Sequence, residues 1–503
     1  MGVEQGGAKL RWVRAPTACA IRRYKVTLFI STSSEVGVAM KPQIYAPGAG
    51  HEPPGDRLPG RSSIEGAWSD MVGDVAQRGR AGARDLVLTG NRGVGKTVLM
   101  KRLSALAESQ GYVRLPFQAS SKASLGAALH EAMAGHRGRT PAWRKPLEAL
   151  ERVTGVSVGV AGVSASVSRA VEPPRAPGDP FNTAAIATAI ADLAQVVADR
   201  DRGGVVLCID ELQMSSPADM ETLGGVLNHL NNWHPQARVL FVAAGLPNTM
   251  SRMMGADPEH PLISNPSRLF FFETLDQYLT LEETAEALRP PARDHGADWT
   301  PEAVVEVHVA TQGYPAHVQV LAAATWTAST GPVIEVDDVR AAVHPAEAEV
   351  ARMYLLPRWE QMSDLKRAYV TAASMCDSPA EAGRVAAMLG RTTTGVSKTR
   401  DELVRAGDIY STAQGYVSLA QPLMRGFAPR HYYDTVEGTE GVPTLREMST
   451  ARDTWTDRRR KPREPLSRAE IEALSSPSSS LGRDRVDREL PGPQPPAGPG
   501  VQR

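Results

Sequence analysis

Along the middle of the chain, short β-branched apolar runs alternate with stretches of helical periodicity. That alternation predicts βαβ units and a parallel sheet. The runs Asp85–Thr89, Val205–Ile209 and Arg238–Ala243 carry almost no polar interruption, as expected of central strands covered on both faces. Helical patterns begin at Ile64–Gln77 and recur at Val98–Ala107. A different texture runs through Val156, Val158, Val160, Ala161-Gly162, Val163, Ala165 and Val167. Apolar positions alternate there with Ser and Gly about a Gly-containing turn, which predicts a β-hairpin inserted near 156–167. From Leu279 to Val350 the pattern turns helical and Ala-rich, and a second module follows at 351–434.

Both ends differ from this middle. Residues 1–39 show no period and read either as an unstructured arm or as sequence upstream of the true start, the latter favoured. Residues 435–503 are expected to be mostly disordered. Arg458–Lys461, Ser475–Ser480 and Pro491–Pro499 offer too little apolar surface to offset the entropy of ordering. The predicted domains are therefore a core at 40–278, a helical segment at 279–350, and the module at 351–434.

Charge and cysteine content narrow the class. Of the 503 residues 42% are apolar, and 56 Lys and Arg balance 56 Asp and Glu. That balance excludes a bulk polycation coating nucleic acid, though not a local basic face. Cys19, Cys208 and Cys376 are too scattered for a disulfide framework or a metal cluster, which suggests a reducing cytoplasm. Val205–Ile209 and Val26–Ile30 are far shorter than a membrane span or a signal h-region, so no membrane partner is expected.

The chemistry concentrates at Gly90-Asn91-Arg92-Gly93-Val94-Gly95-Lys96-Thr97, followed by Val98. The octet fits G-x-x-x-x-G-K-[ST] between a strand and a helix, the phosphate-cradling P-loop. Its glycines let backbone N–H groups curl round phosphate oxygens at a helix N-terminus. Lys96 supplies charge to the β- and γ-phosphates, and the Thr97 hydroxyl is a Mg²⁺ ligand. Asp210-Glu211 ends the apolar run 205–209 and falls on the crevice side of such a sheet. Asp210 can hold Mg²⁺ through water, and Glu211 can polarise an attacking water. The cofactors expected are ATP and Mg²⁺.

With these residues the sequence resembles AAA+ ATPases of the origin-recognition and archaeal-type branch, from about Tyr45 to Arg430. The lead-in Pro47-Gly48-Ala49-Gly50 with Gly60-Arg61 looks like the stretch that precedes the P-loop in bacterial members. The resemblance implies a P-loop three-layer α/β core with a helical lid, and places Arg61 near the adenine. It also implies a first sensor at Asn248, in Gly245-Leu246-Pro247-Asn248, and an arginine finger at Arg268, reaching a neighbouring subunit of a homo-oligomer. Thr311–His317 looks like the Gly-x-Pro element of switch-type P-loop ATPases, which implies that Pro315 packs on the adenine. The arginine that many members carry as second sensor is not evident, which implies slow hydrolysis.

The 351–434 module reads as an α+β winged helix. Glu381–Leu389 is amphipathic, Gly390 turns, Thr392–Ala406 forms a second helix, and Ile409-Tyr410 with Tyr416–Leu419 make a wing. Eleven Lys and Arg stand against eight Asp and Glu over 351–434. Lys398, Arg400 and Arg405 on the second helix are the candidate contacts to double-stranded DNA. The expected function is an ATP-hydrolysing, DNA-associated AAA+ protein. The alternative is an ADP/ATP-gated regulatory switch whose winged helix makes protein contacts.

Overall fold

The computed structural model describes residues 42–48, 58–136, 140–154, 180–201, 203–255, 257, 259–275 and 278–455. The hairpin expected near 156–167, the extension 1–39 and the segment 456–503 lie outside them.

The core opens with helix α1 (Ser62–Arg78), strand β1 (Asp85–Thr89), α2 (Lys96–Ser109) and β2 (Val113–Gln118). Helices α3 (Leu125–Gly135), α4 (Arg144–Thr154) and α5 (Pro180–Asp201) lead to β3 (Val205–Asp210). Then come α6 (Pro217–Trp233), β4 (Val239–Gly245), α7 (Thr249–Met254), α8 (Pro266–Leu269) and β5 (Phe270–Thr274). The five strands pair in parallel in the order β2-β3-β4-β1-β5.

Period-two alternation partitions each central strand between two cores. Leu86, Leu88, Val206, Cys208, Leu240, Val242 and Ala244 pack with Trp68, Val72, Leu99 and Leu103 of α1 and α2. Val87, Val205, Leu207, Ile209, Val239, Phe241 and Ala243 face the helices from α3 to α6 on the other side. The result is the three-layer α/β/α arrangement expected. The edge strands read less clearly in the sequence because each keeps one side open. β2 carries Pro116, tolerable because that strand pairs only with β3. In β5, Phe271 is 44% exposed, with the Arg84 guanidinium 5.4 Å from its ring centre. At the far end of β1, Arg80 and Asp85 form a buried bidentate pair at 2.7 and 2.6 Å, and Arg80 also holds Asn231 and the Val239 carbonyl. The pair ties α6 to the start of two strands, and its remaining donors are met, as a buried ion pair requires.

The lid comprises α9 (Leu281–Arg293), β6 (Asp298–Trp299), α10 (Pro301–Thr311), α11 (Pro315–Ala328), β7 (Val333–Ile334) and α12 (Val336–Val350). Tyr45 is buried within it; its hydroxyl donates to the Leu288 carbonyl and accepts from Trp299 Nε1, both at 2.7 Å. This corrects the boundary at 40: residues 43–46 pack on the lid and not on the sheet. α12 runs through a π-helical segment, Ala351–Leu355, into α13 (Leu356–Glu360), so the boundary at 350 falls inside a continuous helical path.

The module continues with α14 (Asp364–Ser374), β8 (Ala380–Glu381), α15 (Ala382–Met388), α16 (Ser397–Ala406), β9 (Ile409–Ala413), β10 (Tyr416–Leu419), α17 (Met424–Thr435) and α18 (Leu445–Thr454). Its three strands pair antiparallel in the order β8-β10-β9. Two expectations are corrected here. The second helix starts at Ser397, because Thr392 turns back to accept from Gly395 N–H and leaves 392–396 as a turn. The tail does not begin at 435: Thr444 and Glu447 form a reciprocal capping box, and Met448 of α18 is fully buried. Among the described residues, no helix is long and apolar enough to cross a membrane.

Candidate nucleotide-binding site

β1 and α2 are joined by Gly90–Gly95, a loop at the carboxyl edge of the sheet, where ligands bind in open α/β folds. Gly95 caps α2 at φ +93°, a backbone state that L side chains rarely adopt. At Gly93 (φ +85°) an added Cβ would lie 3.0 Å from the Tyr314 ring and 3.1 Å from Ala316 Cβ, so glycine is required for the lid to approach.

Lys96 Nζ donates to the Asn91 carbonyl at 2.7 Å. Burial pushes its pKa down to about 8, against the upward pull of Glu211 and Asp210. The Thr97 hydroxyl donates to Asp210 Oδ2 at 2.9 Å, so the two residues expected to share a metal ion meet directly. Glu211 follows in the left-handed region (φ +52°), its N–H donating to Asp210 Oδ1 at 2.8 Å. A non-glycine residue there is strained by roughly 1–3 kcal/mol and persists only where its surroundings over-determine it. Gln213 Nε2 donates to the Glu211 carboxylate.

These groups open into a cavity of about 410 Å³ whose walls come from three parts of the chain. The core gives Arg61 and Arg92–Val98 with Glu211, the lid gives Leu279, Glu286, Pro315 and Gln319, and the module gives Met353 and Tyr354. The lid is docked on the loop, for Tyr314 donates to the Arg92 carbonyl and Ala316 N–H to the Gly93 carbonyl at 3.2 Å. Tyr354 donates to the Pro47 carbonyl at 3.1 Å and so ties the lead-in to the module. Burial lowers the pKa of Arg61, which donates to the Val94 carbonyl at 3.5 Å.

The site fits a phosphate and a divalent cation. Arg92 lines the cavity with a buried Nε that has no hydrogen-bond partner, a donor suited to an anion. Thr97 and Asp210 supply the hydroxyl and carboxylate oxygens that Mg²⁺ prefers.

The structure thus brings together Lys96, Thr97, Asp210, Glu211, the loop residues and Pro315. It does not bring Asn248 to the cavity. Asn248 immediately precedes α7, and its Nδ2 donates to the Arg405 carbonyl of α16 at 3.3 Å. Arg268 is exposed in the last turn of α8 and lines no part of the cavity. His317 is buried against the Tyr314 ring (centroids 4.5 Å apart), and burial drives its pKa to about 3, so it is a neutral packing residue. Lys398 and Arg405 are exposed on α16, whereas Arg400 is partly buried and pairs with Asp401 at 3.2 Å. Sequence reading missed Tyr314, Gln319, Met353, Tyr354 and Gln213. Only Gln213, two residues beyond the acid pair, carried a local signal.

A glycine-rich loop between strand and helix, with an acid pair ending the neighbouring strand, defines a P-loop nucleotide-binding protein. Residues 59–242 match the family described as AAA ATPase domain. Residues 352–428 match a domain of unknown function (DUF8462). No curated protein matches the chain. Among solved structures it is similar to a Walker-type ATPase of Pyrococcus abyssi, at 11% identity over 74% of this chain and 96% of that one, TM-score 0.45. It is also similar to Cdc6p from Pyrobaculum aerophilum, at 12% identity over 79% of this chain and 95% of that one, TM-score 0.37. The RuvB Holliday junction branch migration motor of Thermotoga maritima is 16% identical over 74% of this chain and 95% of its own, TM-score 0.36.

Proposed function

We propose that the chain binds and hydrolyses ATP, and that the bound nucleotide sets the position of a winged-helix module spanning 351–434. One observation carries this reading: P-loop, lid and module line a single cavity, with Met353 and Tyr354 of the module reaching the site that holds Lys96 and Glu211. Any change in what fills that cavity is felt by all three parts.

Hydrolysis would proceed by in-line attack of water on the γ-phosphate. Lys96 neutralises charge on the phosphates, Glu211 holds the water, and Arg92 offers its unpaired Nε to a phosphate oxygen. Thr97 and Asp210 would hold Mg²⁺, which supplies charge neutralisation at the β- and γ-oxygens. Pro315 would pack on the adenine. Arg268, exposed at the end of α8, is free to serve a neighbouring subunit as a finger in a homo-oligomer. Asn248, held by Arg405, would act at the contact with the module and not as a γ-phosphate sensor. Hydrogen exchange tests the coupling: ADP and a non-hydrolysable ATP analogue should give different protection at 351–355 and 403–408. Identical protection of both segments with either nucleotide would count against a nucleotide-set module.

The DNA reading is supported by Thr393, Thr394 and Lys398, exposed together in the turn and first residues of α16. Binding should be strongly salt-dependent. Lys398→Ala should reduce the slope of log K against log salt by about one phosphate contact. Arg400→Ala should do less, because Asp401 already engages that side chain. A second reading, the gated switch with a protein-binding winged helix, draws support from the far end of α16. There the Arg405 carbonyl and Gly407 rest on Asn248 and Leu246 of the core. A full chain without affinity for duplex DNA at low salt would favour it.

A further inference from the structure

Gln213 lies in a short 3₁₀ turn after β3 and is 4% exposed. Its amide is used at both ends. Oε1 accepts from Leu246 N–H at 3.0 Å, and Nε2 donates to Glu211 Oε2. The orientation of the amide is forced, since a backbone N–H can only donate; with Oε1 turned to Leu246, the NH₂ must face the carboxylate. Leu246 is itself a fixed anchor. Its carbonyl accepts from Thr249 N–H at 2.9 Å and from the Thr249 hydroxyl at 2.6 Å, and Thr249 is fully buried. The same turn receives the module: a Cβ at Gly407 would lie 3.3 Å from Leu246 Cδ1, and Asn248 Nδ2 donates to the Arg405 carbonyl.

We infer that Gln213 is the positioning residue that fixes the Glu211 carboxylate, and that its own anchor is the turn on which the module docks. The inference rests on the reading that Glu211 holds the attacking water. Two physical facts make the link necessary. Glu211 sits at φ +52°, which local sequence does not enforce, so its side chain needs an external restraint. A donor on one carboxylate oxygen sets the direction of the other oxygen. Loss of the restraint should therefore lower turnover and leave nucleotide affinity alone, because Gln213 is not among the residues lining the cavity.

The test uses the full chain and steady-state hydrolysis with ATP affinity measured alongside. Gln213→Ala should lower kcat on the order of tenfold, a typical loss for a misdirected group, with ATP affinity within about twofold. In a Glu211→Gln background the same substitution should add less than about a twofold further loss, since residues acting as a unit are not additive. Gln213→Glu keeps the volume and the bond from Leu246 N–H but sets an anion against Glu211. It should lower kcat further, with ATP affinity still within about twofold of the parent, because the like charge turns the carboxylate from its set direction. That split between kcat and affinity keeps the inference open to refutation even where the residual rate in the Glu211→Gln background is too small to compare. Equal losses in both backgrounds, or a Gln213→Glu variant with the parent kcat, would overturn the role of Gln213 while leaving Glu211 intact. A Glu211→Gln variant at the parent rate would overturn the reading of Glu211 and this inference together.

Discussion

Replacement of Lys96 by alanine is expected to weaken ATP binding by about 10²–10³-fold, the loss that follows truncation of one partner in a desolvated charge pair. The variant should still fold. In the free protein the ammonium is held at a cost, since burial lowers its pKa to about 8 and it rests on the Asn91 carbonyl alone. Removing such a charge relieves desolvation, so the loss of affinity will not be a disguised unfolding. A pH signature follows. Lysine binds its proton more weakly in the folded free protein than in the unfolded chain. Between about pH 8 and the ordinary value of 10.5, the unfolded state therefore carries more protons, and stability of the free protein rises with pH across that window. Phosphate oxygens favour the charged lysine, so ATP affinity should fall as pH climbs past about 8, with proton uptake seen as a buffer-dependent binding enthalpy. Both the uptake and the pH dependence should vanish in Lys96→Ala. Unchanged affinity in a folded variant would remove Lys96 from the phosphate site.

Legibility in the sequence followed how local each feature is. β1, the loop and α2 occupy one contiguous stretch whose apolar run, glycines and lysine each have a single physical explanation. The acid pair was legible for the same reason, since β3 is buried on both faces and must end in polar residues at the ligand edge. The edge strands were harder, because a strand with one open side may carry Pro116 or an exposed Phe271 without penalty. Asn248 lies outside the cavity lining for a geometric reason. β4 extends to Gly245, and the turn after it faces α16, a partner more than 150 residues away that no local pattern announces. Met353 and Tyr354 reach the cavity, and Tyr314 the Arg92 carbonyl, only because the lid folds back on the core. Pro315 was placed by family resemblance and not by periodicity. The helix start at Thr392 failed through hydroxyl competition: Thr392 bonds to Gly395 N–H and closes a turn where a cap was expected.

Glu211→Gln should leave ATP binding nearly intact and lower turnover by roughly 10²–10⁴-fold, the usual contribution of a positioned general base. The substitution preserves shape and leaves the Thr97–Asp210 contact and the loop untouched. It removes a negative charge that supports the protonated form of Lys96. The lysine pKa of the free variant should consequently fall below its parent value, and ATP affinity should begin to weaken at a lower pH than in the parent. Two outcomes then belong together: a protein that retains ATP, and a pH dependence of binding displaced downward. A glycine variant separates backbone from side chain. Glycine adopts φ +52° freely, so Glu211→Gly relieves part of the roughly 1–3 kcal/mol of strain and should be at least as stable by denaturant unfolding, yet equally inactive. Strain kept at a position where glycine would remove it is explained by chemistry that only the carboxylate performs. Turnover at the parent rate in either variant would show that the water is oriented by another group, and the strained backbone at Glu211 would lose its functional explanation.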